Sequence, residues 1–275
     1  MNGRGSGARA ARAAAAAGAV ACLTAAAGAQ GAPPGAVAGA RQLVVVAASG
    51  WDDTTATLRR YARAARGAWR PVGAPVAVTL GRSGLAWGVG QGAAPNGAPV
   101  KREGDGRSPA GAYPLLHGFG FAADPAAPAA PPAAVPYLAL TPATVCVDDP
   151  ASPAYNGVVE GDSAGGGRWA SAERMRAVAG YRTGVVVGYN GAWTRAGALR
   201  ARTPNGGRPA PGRGSCIFLH VWDGPGRPTA GCTAMDAAAM REVLAWLDPA
   251  ARPMIVQLPS AALAARRRAW ALPPA

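Results

Sequence analysis

Glycine and proline occur 39 and 26 times among 275 residues, and that density limits the fold more than any other feature. A proline inside a helix costs about 3 kcal/mol relative to alanine and a glycine about 1 kcal/mol. Long helices are therefore excluded over most of the chain. What remains is a series of short apolar runs bounded by Gly, Pro, Asn and Asp: residues 42–46, 75–80, 137–140, 145–147, 184–189, 216–221 and 254–258. Each reads as a short strand. Many short strands predict a mainly β fold, a sandwich or partly closed barrel with one or two short helices. No repeat with a period of 20 to 50 residues is present, and the length suits one catalytic-size core.

One helix is well marked. Asp236 is a natural N-cap, Met240, Val243, Leu244 and Leu247 fall on one face, and Asp248-Pro249 stops the run. Residues 171–179 form a second, shorter helix candidate that ends at Gly180. Residues 54–65 point two ways: Leu58, Tyr61, Ala62 and Ala65 have helical spacing, whereas the β-branched threonines from Thr54 to Thr57 favour a strand. The Ala/Pro tract 122–136 has little to pack and reads as a surface loop.

The first 29 residues carry Arg4, Arg9 and Arg12, then an apolar run over 13–27, then Ala27-Gly28-Ala29. This order is that of a secretory signal peptide with its cleavage site. The run is short of the roughly 18 to 20 residues that cross a membrane, so no membrane span is expected. Ala19-Val20-Ala21-Cys22 is the alternative, a lipoprotein box with Ala19 where leucine is usual, which would place a lipid anchor on Cys22. A Gly/Ala/Pro linker (30–40), a single folded domain (41–258) and a solvated basic tail (259–275) with Arg266-Arg267-Arg268 follow. An exported chain of this kind belongs in the periplasm or cell wall. The formal net charge is +14, and outside the cytoplasm the polyanions such a field attracts are cell-wall polymers and lipid headgroups. No nucleic-acid-binding pattern accompanies the charge, so no nucleic-acid partner is expected.

Beyond the leader, Cys146, Cys216 and Cys232 leave an odd thiol in an oxidising compartment. Either Cys146 pairs with Cys216 and Cys232 stays free, or the first two are small buried residues that never meet. In the run 216–221, alternation places Cys216, Phe218 and His220 on one face. The turn Asp223-Gly224-Pro225-Gly226 then brings Cys232 back opposite His220. An imidazolium beside a thiol lowers its pKa and yields the nucleophilic thiolate. Gly231 permits close approach of a substrate, and the N–H groups of Gly231 and Cys232 are candidate oxyanion donors. Thr229 either orients that turn or fills a strand position. Tyr189 and Asn190 are candidates to line the same cleft. His117 reads as structural, and Lys101, Glu103 and Asp105 as turn and surface residues. Arg200, Arg202, Arg208 and Arg213 form either a solvated loop or a rim for peptide carboxylates. No zinc constellation or phosphate loop is present, so neither metal nor cofactor is expected.

The stretch from Ser215 to Cys232, the segment Lys101-Arg102-Glu103-Gly104-Asp105-Gly106-Arg107-Ser108-Pro109-Ala110-Gly111-Ala112-Tyr113, Trp87-Gly88 and Val187-Gly188-Tyr189-Asn190 together resemble the L,D-transpeptidase catalytic domain, the YkuD-like family. The resemblance spans roughly residues 41 to 258. Thr229 stands where many members have serine, Ala230 where they have a second histidine and Ala234 where they have arginine, which marks a divergent branch. The resemblance implies a strand hairpin running into Trp69 and an acyl transfer on peptidoglycan stem peptides. Cys232 would form the acyl-enzyme, and His220 would serve as general base and acid. An amine acceptor would give a cross-link, and water would make the protein an L,D-carboxypeptidase. A wall-binding protein that kept the fold and lost the chemistry is the rival class.

Overall fold

The computed structural model describes residues 35–65, 67–121, 134–161, 169–194 and 208–274. In chain order the strands are β1 (Gln42–Ala48), β2 (Thr55–Ala62), β3 (Arg70–Thr79), β4 (Leu85–Trp87), β5 (Ser108–Gly120), β6 (Tyr137–Ala139), β7 (Thr144–Cys146), β8 (Gly157–Glu160) and β9 (Glu173–Arg174). They continue as β10 (Thr183–Val187), β11 (Trp193–Thr194), β12 (Phe218–Val221), β13 (Thr233–Met235) and β14 (Met254–Pro259). Two helices, α1 (Ala237–Trp246) and α2 (Ser260–Arg266), complete the regular structure.

The expected mainly β architecture is present as a closed barrel with a small second sheet. The barrel order is β10-β12-β13-β3-β2-β1-β14-β5, and β5 returns to β10, so no edge is left in the ring. β4 and β6 add to β5 outside the ring. The wall is made by the most apolar runs. β1 lies between β2, antiparallel, and β14, parallel with Leu43 opposite Met254 and Val45 opposite Val256. Leu43, Val44, Leu58, Ile255 and Leu258 are fully buried in one cluster with Met240, Val243 and Leu244 of α1. Asp236 caps α1 as its spacing predicts, its carboxylate accepting the Ala238 amide at 2.7 Å. Residues 54–65 resolve in favour of the strand: β2 and β3 form the longest hairpin of the ring.

The second sheet runs β11-β8-β7-β9 from strands of two to four residues. A disulfide between Cys146 at the end of β7 and Cys216 just before β12 ties it to the barrel, with 5.9 Å between Cα atoms, and leaves Cys232 as the free thiol among the described residues.

Three expectations, about one helix, the tail and the linker, fail. Residues 171–179 are not a helix. Glu173 pairs with Cys146 through β9, and two single 3-10 turns, Met175–Ala177 and Ala179–Arg182, follow. The pairing pulls the segment onto β7, and Gly180 lies so close to β12 that a Cβ there would stand 2.4 Å from the Val221 carbonyl. The basic tail is not solvated either. Leu263 and Trp270 are buried in the barrel core, and the Arg266 guanidinium lies over the Trp87 ring at 4.4 Å. The described part of the linker packs as well: Val37 and Ala40 are buried, and Arg63 donates to the carbonyls of Val37, Ala38 and Ala40. The leader, Cys22, most of the 122–136 tract, Arg200 and Arg202 lie outside the described residues. Among the described residues, no helix is long and apolar enough to cross a membrane.

Candidate active site

β12 ends in His220-Val221 and β13 begins one residue after Cys232, and the two strands run parallel, not as a hairpin. His220 is therefore opposite Ala234, not Cys232. The Asp223-Gly224-Pro225-Gly226 turn does not reverse the chain directly. Thr229 is captured by the end of β3, its N–H donating to the Leu80 carbonyl and its own carbonyl accepting from Arg82 N–H. The chain then re-enters the sheet between β12 and β3. Cys232 comes to lie beside Phe218, whose amide points at Sγ from 3.3 Å. It shares the face of Phe218 and His220, two positions along from the imidazole.

The backbone around the thiol is fixed from two sides. The Cys232 carbonyl accepts from Thr229 Oγ1 at 2.7 Å and from Ser108 Oγ at 2.9 Å. Thr229 thus orients the turn, as one of its two sequence readings held. Ser108 also receives the Gly81 amide, so the 101–113 segment and the 216–232 stretch meet at this one hydroxyl. Gly231 has φ +152, and a Cβ there would come within 3.1 Å of the Arg107 carbonyl. Its amide donates to Thr229 Oγ1 at 3.0 Å, which removes it from the expected pair of oxyanion donors.

Cys232 lines a cavity of about 290 Å³, with Arg82 and Lys101 of one sign and Glu103, Asp148 and Glu173 of the other on its walls. Lys101 and Glu103 are not surface residues. Lys101 is buried and paired with Asp105 at 2.6 Å, and Glu103 accepts from Ser215 Oγ at 2.9 Å and from the Tyr155 hydroxyl. Tyr181 also lines the cavity, its hydroxyl donating to Glu173 Oε2 at 2.9 Å. Its ring stands edge-on to His220 at 5.1 Å. Tyr181 thus packs against His220 and shares one buried cluster with Cys232. Among the described residues no hydrogen bond joins Cys232 to His220 directly.

The charge states differ from the expected thiolate–imidazolium pair. Burial, aided by the Glu173 carboxylate, pushes the Cys232 thiol up to about 12, against smaller opposing effects of the Phe218 amide, Tyr181 and Lys101. Burial also lowers His220 below its ordinary value, outweighing the Val221 carbonyl and Asp223, which favour the cation. Both groups are neutral at rest. His220 Nδ1 lies 2.8 Å from the Val221 carbonyl. A carbonyl only accepts, so Nδ1 carries the proton and Nε2 keeps a lone pair able to take one.

Tyr189 and Asn190 do not line the cavity. Both are buried, and they hold the segment that leads to Cys216. Asn190 Nδ2 donates to the carbonyls of Ala210 and Gly214, Tyr189 donates to the Arg213 carbonyl, and Asn156 bridges from their carbonyls to the Cys216 amide. The polar groups of an irregular segment need partners when buried, and these two residues supply them. Arg208 is exposed, and His117 is buried within β5. Among the described residues no group of three or more His, Cys, Asp or Glu side chains is arranged to hold a metal ion.

Glu173, Tyr181, Asp148 and Ser108 were missed as site residues. For Ser108 the signal was there, since it sits in the second resembling segment. Glu173 and Tyr181 carry no local signal, because they stand more than fifty residues from Cys232 in sequence. Searches of protein-family models, of curated proteins and of solved structures found no match to the chain.

Proposed function

We propose that the protein is an exported cysteine acyltransferase of the L,D-transpeptidase type, acting on peptidoglycan stem peptides. The observation that carries this reading is the placement of the free thiol. Cys232 lines a cavity walled by charges of both signs, on a backbone clamped through its own carbonyl by Ser108 and Thr229. A stem peptide carries free carboxylates and an amine, so walls bearing Arg82 as well as Asp148 and Glu173 suit it. Cys232 attacks the carbonyl that joins the third residue to the terminal D-alanine, and a thioester follows. His220 is the acid–base group on the nitrogen side, with Nε2 free to accept the proton of the incoming amine or water. An amine acceptor gives a cross-link, and water gives carboxypeptidase activity.

Two features favour a second reading, a wall-binding protein without chemistry: the thiol is neutral at rest, and a fully buried Ala234 stands where family members have arginine. Intact mass after exposure to a tetrapeptide donor or a carbapenem separates the readings. Acyl transfer predicts a covalent adduct that Cys232→Ala loses, with turnover falling roughly a thousandfold or more. Absence of an adduct on the native protein, with binding to wall polymer retained, supports the second reading.

A further inference from the structure

A second cavity, of about 280 Å³, is built from β1, β2, α2 and the chain that follows α2, and it shares no residue with the walls of the Cys232 cavity. β1 and β2 pair with Val45 opposite Arg59 and Leu43 opposite Tyr61, so alternation sets Val45, Ala47, Arg59 and Tyr61 on one face of the sheet. Arg59 falls where the register of β2 against β3 shifts, between Leu58 and Arg60. Ser260, Leu263 and Arg267 follow at helical spacing along α2 and its C-cap, and join the same lining. The chain beyond is clipped in place. The Arg267 guanidinium donates to the Pro273 carbonyl at 2.7 Å, and Trp69 Nε1 donates to the Ala271 carbonyl at 2.8 Å. Leu272, Pro273 and Pro274 are thereby held against the cavity.

The lining is apolar except for donors. Its charged members are Arg59 and Arg267, and no Asp or Glu stands among them. Arg60, the next residue, is neutralised by Glu242 at 2.9 Å. Among the described residues the Arg59 guanidinium makes no ion pair or hydrogen bond, and the Tyr61 hydroxyl has no hydrogen-bond partner. A guanidinium presents a planar fork of N–H donors that matches a carboxylate. We infer that this groove binds a small organic anion of the alkyl carboxylate class. Arg59 and Arg267 hold the carboxylate, with the Tyr61 hydroxyl as a further donor, and the alkyl chain lies against Val45, Ala47 and Leu263. A bilayer surface fits the groove poorly, because Val45, Ala47, Leu263 and Leu272 are half-buried or buried and only an entering molecule reaches them. The first 34 residues of the chain fit it poorly too, since they contain no acid to meet the two arginines. The inference stands apart from the acyl-transfer reading and does not depend on it.

The test is calorimetric titration of the full chain with octanoate. Acetate, which lacks the chain, and octanol, which lacks the charge, are the controls. Saturable octanoate binding is expected, with each control weaker by about tenfold or more. Arg59→Gln is the deciding variant, because that guanidinium holds nothing else in the fold. It should weaken octanoate binding by about tenfold or more and leave the unfolding midpoint native. Tyr61→Phe should weaken binding several-fold, and it decides if Arg59→Gln fails to fold. Arg267→Gln should also weaken binding, with a lowered midpoint because it releases Pro273. No octanoate binding to the native chain, equal affinity for octanol, or native affinity in Arg59→Gln overturns the inference. So does binding to phosphatidylglycerol vesicles without binding to octanoate, which makes the groove a membrane contact. Octanoate binding seen only after the chain is extended beyond Ala275 overturns it as well, since the chain's own terminal carboxylate is then the occupant. Calorimetry needs no turnover, so a failed groove leaves acyl transfer standing, and a missing acyl adduct on Cys232 leaves the groove standing.

Discussion

The barrel wall around β1 and the small sheet behind Cys232 are held by different means. In the wall, strands of six to ten residues share long ladders, and Leu43, Leu58 and Leu258 close over the interior. In the small sheet the strands are two to four residues long and the apolar cluster between them is built on Val145, Val147 and Val159. Side-chain pegs take over there: Thr144 and Thr141 donate to the two oxygens of Glu160 at 2.7 Å each, and the disulfide joins the sheet to β12. Where ladders are too short to stabilise by themselves, polar links and a covalent bond set the geometry. Cys232 sits on the seam, its sulfur touched by Phe218 of the wall and by the carbonyl of the disulfide-bonded Cys216.

The contrast is broken most strongly by removing the covalent link. The disulfide spans 70 residues, and a loop of that size corresponds to about 4 kcal/mol of stabilisation in the chain-entropy model. A Cys146→Ser/Cys216→Ser double variant is expected to lower stability by that order in denaturant titration. Cys232 alkylation should change as well, because the Cys216 carbonyl is released. Unchanged alkylation in the folded variant would mean that the seam is held without the bond.

Leu43→Ala attacks the other side and is expected to cost about 3 kcal/mol through the cavity it leaves. Here the alkylation rate of the folded protein should stay native, since the wall and the seam are separate. A smaller effect is expected from Asn190→Ala, about 2 kcal/mol, because carbonyls of Ala210 and Gly214 lose their donor inside the protein. Its signature is faster proteolysis of the segment before β12, read by limited digestion. The smallest effect is that of pH. Burial lowers both His117 and His220, so the unfolded chain binds protons that the folded one refuses. Stability therefore falls as pH drops below about 6.5, and His117→Asn should flatten part of that slope in thermal melts without touching the thiol.

Most of the wall was legible because its strands are continuous apolar runs, and α1 because its cap, spacing and stop agree. Cys232, His220 and Thr229 were legible because a scarce thiol, a scarce imidazole and a turn fall within one short stretch. The parallel course of β13 was not, since it depends on Thr229 meeting Leu80 and Arg82, a contact across about 150 residues that no local pattern records. Lys101 looked solvated among glycines and charges. Its burial follows from a fold in which Gly214 packs against its side chain, where a Cβ would stand 3.1 Å from Nζ. Residues 171–179 had the composition of a helix, and pairing with β7 overrode it. The tail resembled other charged ends until the tryptophan it carries found the barrel.

β14 is inserted between β1 and β5, the earliest strand of the ring and one from its middle. The cylinder cannot shut until residue 259 has been synthesised, so a shorter nascent chain offers two raw strand borders to any neighbour. Such a chain gains its final cohesion only once β14 has emerged, and a ribosome that stalls before Met254 releases a product primed to clump, not a smaller closed barrel.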